Sequence, residues 1–342
     1  MTSTTSSPPT STASVRLGAT GPSTFPIALG CMGMSGMYGD ADPAESIATI
    51  HAALERGVDL LDTGDFYGQG RNELLIGRAL AGHRRDGVML SVKFGALRAP
   101  DGSFTGYDAR PAAVKNFLAY SLSRLGVDYI DIYRPARLDG AVPIEDTIGA
   151  IADMVKAGYV RHIGLSEVSA ETIRRAAKVH PIVDLQIEYS PLSRGPEASI
   201  FPTLAELGIA VTAYGVLSRG LLTGSKPAGP ADFRAHLPRF GGENGAHNRT
   251  LVSAFAALAE ARGITAAQLA IAYVRAKAAT QGITLVPTLG SRTRAQLADA
   301  LGALQVALSA DDVAAVEAAA PAANVAGTRY AEALMKHLDS ER

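Results

Sequence analysis

The 342-residue chain carries 32 Lys and Arg against 33 Asp and Glu, a formal charge of −1, with 47% hydrophobic and 19% charged residues. That balance excludes a largely disordered protein, and without a basic excess to release counterions no nucleic-acid partner is expected. The single cysteine, Cys31, permits neither an internal disulfide nor a cysteine-based zinc cluster and points to a reducing, cytoplasmic setting.

Residues 1–14 are almost all Ser, Thr, Pro and Ala and carry no charge, so they read as a disordered leader ahead of one domain spanning 15–342. The leader lacks the basic start and apolar run of a secretory signal. No run approaches the roughly 18 apolar residues of a membrane span, so no membrane partner is expected. Eight apolar runs then follow, at Ile27–Gly30, Asp59–Asp62, Val88–Phe94, Tyr129–Arg134, His162–Leu165, Val183–Ile187, Ile209–Tyr214 and Thr284–Pro287. Most are continuous Val/Ile/Leu stretches without alternation, the pattern of parallel strands covered on both faces.

Helical stretches lie between them. Asp42-Pro43 caps Ala44–Arg56, and Gly57 closes it. Asp108-Ala-Arg-Pro111 opens a helix to Leu125, Val142-Pro143 opens Ile144–Ala157, and Ser169 caps Ala170–Val179 before Pro181. Eight strand–helix alternations favour a (β/α)8 TIM barrel, a fold of about 250 residues that tolerates insertions, over an open doubly wound sheet. A GxGxxG dinucleotide fingerprint is missing near the start, which argues the same way. Between Tyr214 and Arg249 the chain loses its helical period and is rich in Gly, Pro and Ser. A loop of that length leaving the seventh strand is expected to be functional.

The segment ending in Asp62-Thr-Gly-Asp-Phe-Tyr67 leaves one strand end, and Ser91-Val-Lys93 ends the next. Singly, Asp62 suits a loop cap, Tyr67 rim packing and Lys93 a snorkelling side chain. Together at adjacent strand ends they form a candidate acid–base trio. In it the Lys93 ammonium is expected to lower the Tyr67 pKa, and Asp62 to keep that ammonium charged.

The chain resembles the aldo-keto reductase superfamily over nearly everything after the leader. The ordered blocks are Asp62-Thr-Gly-Asp-Phe-Tyr67-Gly, Ser91-Val-Lys93-Phe-Gly, Gly158-Tyr-Val-Arg-His-Ile-Gly-Leu-Ser166-Glu, Gln186-Ile-Glu-Tyr-Ser190, Tyr214 through Gly224, and Val286-Pro-Thr-Leu-Gly-Ser-Arg292. The resemblance implies a (β/α)8 barrel that binds NADPH and reduces small-molecule aldehydes and ketones. Tyr67 would be the proton donor, supported by Lys93 and Asp62. A non-catalytic NADPH-binding redox sensor on the same fold is the alternative. The family's usual histidine beyond the fourth strand is replaced by Ala136, and no histidine lies between Arg84 and Arg161. The stretch Pro135-Ala-Arg137, with Val142-Pro-Ile-Glu-Asp146, looks most like the pyridoxal reductase-like branch, which makes a pyridoxal-like aldehyde the first substrate expectation. Arg137 suits either a compensating cation or a salt-bridged surface residue.

By the same resemblance Ser166 and Gln186 would hold the nicotinamide carboxamide, and Tyr214 would stack on its ring. Gly215, Val216, Leu217, Ser218 and Gly220 would wrap the pyrophosphate, and Arg234 would belong to a flexible lid. Glu167 stands where many relatives have asparagine. The turn Gly290-Ser291-Arg292 before the helix Thr293–Leu301 combines a helix N-terminus, a hydroxyl and a guanidinium, a set that favours a phosphomonoester. The resemblance makes it the 2′-phosphate pocket, with Gln296 as a further contact, and Asp299 and Ala300 near the adenine. No metal site is expected.

Overall fold

The unalternating apolar runs become the staves of a closed barrel. The computed structural model describes residues 13–230 and 232–342; most of the expected leader lies outside them. Strands β1 (Ala28–Gly30), β2 (Leu60–Gly64), β3 (Met89–Phe94), β4 (Ile130–Pro135), β5 (Val160–Ser166), β6 (Ile182–Glu188), β7 (Ala210–Tyr214) and β8 (Leu285–Gly290) pair in parallel in chain order, and β8 closes on β1. This is the expected (β/α)8 TIM barrel. The outer ring contains α1 (Pro43–Glu55), α2 (Arg71–Leu80), α3 (Pro111–Leu125), α4 (Ile144–Lys156), α5 (Ala170–Val179), α6 (Ile200–Leu207), α7 (Gly242–Ala261), α8 (Ala266–Thr280), α9 (Arg294–Gly302) and α10 (Ala310–Ala319). None of the helices is long and apolar enough to cross a membrane, among the described residues.

Local chemistry accounts for the helix starts. The Asp42 carboxylate accepts the Ala44 amide ahead of Pro43, and the Ser169 hydroxyl accepts the Thr172 amide. The expectation of an aperiodic stretch up to Arg249 is corrected, because α7 begins at Gly242. Its first turns are poor in helix formers, and tertiary bonds hold them instead. The buried Asn248 amide donates to the carbonyls of Arg239 at 3.0 Å and Ala326 at 2.8 Å.

A small hairpin, Val15–Arg16 against Ser23–Thr24, lies outside the barrel sheet. The residue that follows its first strand, Leu17, packs with Ala28, Leu60, Ile132, Val183, Ala210 and Val286 as a separate apolar cluster. All but Leu17 sit in or beside the first residues of barrel strands, so this cluster seals the N-terminal end.

Farther up, the interior turns polar. Arg134 of β4 and Asp184 of β6 are fully buried and paired at 2.8 Å. Asp184 also accepts the Thr212 hydroxyl at 2.5 Å, and Arg134 donates to Ser91 Oγ at 3.0 Å. Gly164 of β5 leaves room for the pair, since a Cβ there would stand 2.6 Å from Asp184 Oδ1 and 2.9 Å from Arg134 Cζ. Asp184→Ala is expected to strand the Arg134 charge and lower stability by about 3–5 kcal/mol, whereas the double change Arg134→Met/Asp184→Leu should recover most of that loss. Urea denaturation of the single and double variants checks both outcomes.

Candidate active site

At the C-terminal mouth of the barrel, strand register brings the three candidate acid–base residues together. Asp62 sits opposite Ser91, and Gly64 opposite Lys93, across β2 and β3. Asp62 and Lys93 are both buried, with Lys93 Nζ 2.5 Å from Asp62 Oδ1. The second carboxylate oxygen accepts Ser91 Oγ and Gln186 Nε2, each at 2.8 Å. Tyr67 follows β2 on a tight turn in which Gly68, Gln69 and Gly70 all have positive φ, at 55°, 56° and 89°. Left-handed backbone is costly for Gln69. Nearby, the buried Asn72 anchors the turn, accepting from Thr63 at 2.7 Å and donating to the Cys31 carbonyl at 2.8 Å. Lys93 Nζ stands 5.2 Å from the centre of the Tyr67 ring.

The expected acidification of Tyr67 is reversed. Burial raises its pKa well above the ordinary value, and the Asp62 charge adds to the rise, while Arg137 opposes it. The physical reason is that Asp62 matches the Lys93 charge at contact distance, so the phenol faces an almost neutral pair in a dry site. Burial also lowers the Lys93 pKa, against the pull of Asp62. At neutral pH Tyr67 is therefore a fully protonated hydroxyl.

One cavity of about 730 Å³ extends from this trio to the start of α9. Fifteen of the sixteen site residues expected from sequence line it: Asp62, Tyr67, Lys93, Ser166, Gln186, Tyr214, Gly215, Val216, Leu217, Gly220, Arg234, Gly290, Ser291, Arg292 and Gln296. The side chain of Ser218 instead turns inward to Ser190 Oγ at 2.9 Å. Ser218, Arg219 and Gly220 have φ of 48°, 55° and 91°, and the Val216 and Leu217 amides donate to no described group. Arg234 borders the cavity but spends all five N–H groups on its own loop: on Asp232, Arg219 O, Ser225 Oγ and Lys226 O. It pins the loop shut on itself.

At the far end, Arg292 Nη1 donates to the carbonyls of Tyr38 at 3.0 Å and Asp40 at 3.3 Å, leaving its Nε and Nη2 without a described partner. Ser291 is buried, and its hydroxyl bonds to no described residue. The buried Thr288 hydroxyl, also on the cavity wall, likewise lacks a partner. Asp299 is occupied by Thr265 at 2.9 Å and Gln268 at 3.1 Å. A shallower cleft of about 520 Å³ on the outer wall, bordered by α2 and α3 residues, holds none of these groups.

The structure also assembles residues that the sequence reading passed over. Glu167, at positive φ of 52° just after β5, accepts from Tyr214 at 2.7 Å and from Arg329 at 2.9 Å. Burial alone would raise its pKa, but Arg329 carries it down to about 2. Glu188, the last residue of β6, takes Arg219 at 2.8 Å and Arg329 at 3.3 Å. Tyr330 then reaches the Tyr214 hydroxyl at 2.9 Å and lies under the Arg219 guanidinium at 4.4 Å. The C-terminal segment is thereby strapped across the mouth. An acidic residue at or just past the end of an apolar strand was the one available signal, at Glu188 and Glu167.

The aldo/keto reductase family model matches residues 26–321. The chain belongs to the aldo/keto reductase family. Among solved structures, this aldo-keto reductase is similar to the glycerol dehydrogenase AKR11B4 from Gluconobacter oxydans, at 26% identity and a TM-score of 0.79, with 96% of this chain and 97% of that one covered. It is similar also to the holo form of AKR11C1 from Bacillus halodurans, at 27% identity and a TM-score of 0.72, with 90% and 96% covered. Nicotinamide-dependent oxidoreductase chemistry on carbonyl groups goes with the family.

Asp65, beside the trio, gives a pH signature. Burial first, and the Glu73 charge second, push its pKa up to about 7. Its Oδ2 accepts only the Gly95 amide at 3.2 Å among the described residues, and Oδ1 has no partner. A carboxyl with a raised folded-state pKa binds more protons folded than unfolded, so stability falls as pH rises toward and through 7. Asp65→Asn is expected to flatten that slope between about pH 5 and 8 and to stabilise the protein at the alkaline end. Denaturant midpoints across that range test it; an unchanged slope would refute it.

Proposed function

We propose that this aldo-keto reductase uses NADPH to reduce an aldehyde or ketone to an alcohol, with Tyr67 as the proton donor and Lys93 and Asp62 as its support. The observation that carries this reading is a buried, protonated phenol beside a buried ion pair at one end of a cavity whose other end carries a helix N-terminus, a hydroxyl and a guanidinium. The unpartnered hydroxyls of Thr288 and Ser291, the unused amides of Val216 and Leu217 and the open edge of Arg292 suit an extended dinucleotide phosphate. Ser166 and Gln186 would fix the carboxamide, Tyr214 would pack on the ring, and Gly290 and Gln296 would border the phosphate. The bound cofactor supplies the hydride that adds to the carbonyl carbon.

The chain's own part is positioning and proton delivery. Tyr67 gives its hydroxyl proton to the carbonyl oxygen as that oxygen gains negative charge. The phenolate left behind feels the Arg137 cation beside the Lys93–Asp62 pair, and that charge stabilises it only once the proton has gone. Burial keeps the phenol protonated until then. A pyridoxal-like aldehyde is the first substrate to try, on the likeness of Pro135-Ala-Arg137 and its surroundings to that branch, and the single buried Cys31 suits a cytoplasmic setting.

Tyr67→Phe is expected to lower kcat by about 10²–10⁴ while leaving NADPH affinity nearly unchanged. NADPH absorbance with pyridoxal and nitrobenzaldehyde, together with a cofactor titration, reads both. Tight NADPH binding by the wild type with no turnover across a carbonyl panel would instead support a sensor role. Arg292→Ala is expected to weaken NADPH binding roughly ten- to a hundredfold and NADH binding far less. Equal losses for the two cofactors would overturn the 2′-phosphate assignment.

A further inference from the structure

We propose that the end of the cavity beside Tyr67 takes a flat aromatic carbonyl compound that also bears a carboxylate, and that Arg137 grips that carboxylate. The inference deepens the reductase reading and rests on it for turnover, though not for binding.

Arg137 follows β4 and lines the cavity. Its Nη1 donates to the Ala136 carbonyl at 2.6 Å and to Ser166 Oγ at 3.4 Å, and its Nη2 donates to the Tyr330 hydroxyl at 3.2 Å. All three partners are neutral, and Nε has none among the described residues. The neighbouring arginines differ: Arg219 pairs with Glu188 at 2.8 Å, Arg234 with Asp232 at 2.7 Å and Arg329 with Glu167 at 2.9 Å. Arg137 forms no ion pair among the described residues. The salt bridge that one reading of the sequence gave Arg137 is therefore not present among the described residues.

The ion-paired network around the strap joins Arg219, Arg239 and Arg329 to Glu167, Glu188 and Glu341. Arg137 stands beside it, bonded to the Tyr330 hydroxyl, without an ion-paired carboxylate among the described residues. Arg137 is half-buried, and a cation partly withdrawn from water is stabilised when an anion meets it. The free Nε and the singly used Nη2 form the guanidinium edge that receives a carboxylate through two parallel hydrogen bonds. Among the described residues only Asp62 and Asp299 bring carboxylates to the cavity wall, the first held by Lys93 and the second at the far end. Nothing acidic on the wall beside Arg137 repels an anion.

The walls supply the rest of the specificity. Phe104 and Tyr107, with ring centres 4.9 Å apart, come from the hairpin after β3, and the Tyr330 ring lies 5.9 Å from the Arg137 guanidinium. Phe66 packs edge-on to Tyr67 at 4.8 Å. Such surfaces favour a planar ring.

The test uses the full chain. Calorimetry with benzoate, which cannot be reduced here, reads the anion site without turnover, on wild type, Arg137→Gln, Arg137→Lys and Tyr67→Phe. Benzoate should bind the wild type, weaken roughly ten- to a hundredfold in Arg137→Gln, recover in part in Arg137→Lys, and persist in Tyr67→Phe. The ratio of kcat/KM for 4-carboxybenzaldehyde over its methyl ester should fall by a similar factor in Arg137→Gln. No benzoate binding, equal binding by Arg137→Gln, or loss in Tyr67→Phe instead would overturn the proposal. So would an acid-to-ester ratio that Arg137→Gln leaves unmoved. If neither aldehyde turns over while benzoate binding follows Arg137, the reductase reading fails and the anion site stands.

Discussion

The ion pair between Lys93 and Asp62 is the contact on which the rest of the mouth depends. Burying two charges costs several kcal/mol each, and their attraction offsets that only when the remaining polar atoms are also satisfied. Here Ser91 and Gln186 complete Asp62, Ser91 in turn accepts from Arg134, and Arg134 is held by Asp184 and Thr212. A polar chain thus crosses the barrel interior through β2, β3, β4, β6 and β7. The site is stiff because each member fixes the next, and the phenol above it inherits that stiffness.

A second network does for the opening what the first does for the interior. Arg329 and Tyr330 come from a segment after the last barrel helix, yet Arg329 closes on Glu167 just after β5 and Glu188 at the end of β6, and Tyr330 closes on Tyr214. Because Glu188 also takes Arg219, the loop after β7 and the C-terminal strap share one carboxylate. Moving either one exposes a charge that the other is holding. The loop and the strap are for that reason one mechanical unit, although well over a hundred residues of sequence separate Glu188 from Arg329.

Much of this was legible beforehand, for definite reasons. All eight staves were visible because parallel strands covered on both faces must be continuously apolar, and Asp62 and Lys93 stood out as polar residues near the ends of such runs, whereas Ser166 and Gln186 were reached through the likeness of their blocks to the aldo-keto reductases. The first turns of α7 were not visible, since Asn248 holds them through contacts that no local period encodes. The Tyr67 pKa was misread because Asp62 was placed beside Lys93 only as its support, while burial and that same carboxylate both act to raise the phenol. Arg234 looked available for a ligand until its five donors were found committed to its own loop. The roles of Arg329 and Tyr330 depend wholly on long-range closure, and their surroundings in sequence carry no periodicity.

The hairpin and the Leu17 cluster stopper the lower rim, so among the described residues the chamber beside Tyr67 lies toward the upper one. Residues of the strap and of the loop after β7 border it there, and a visitor to Tyr67 meets both as neighbours.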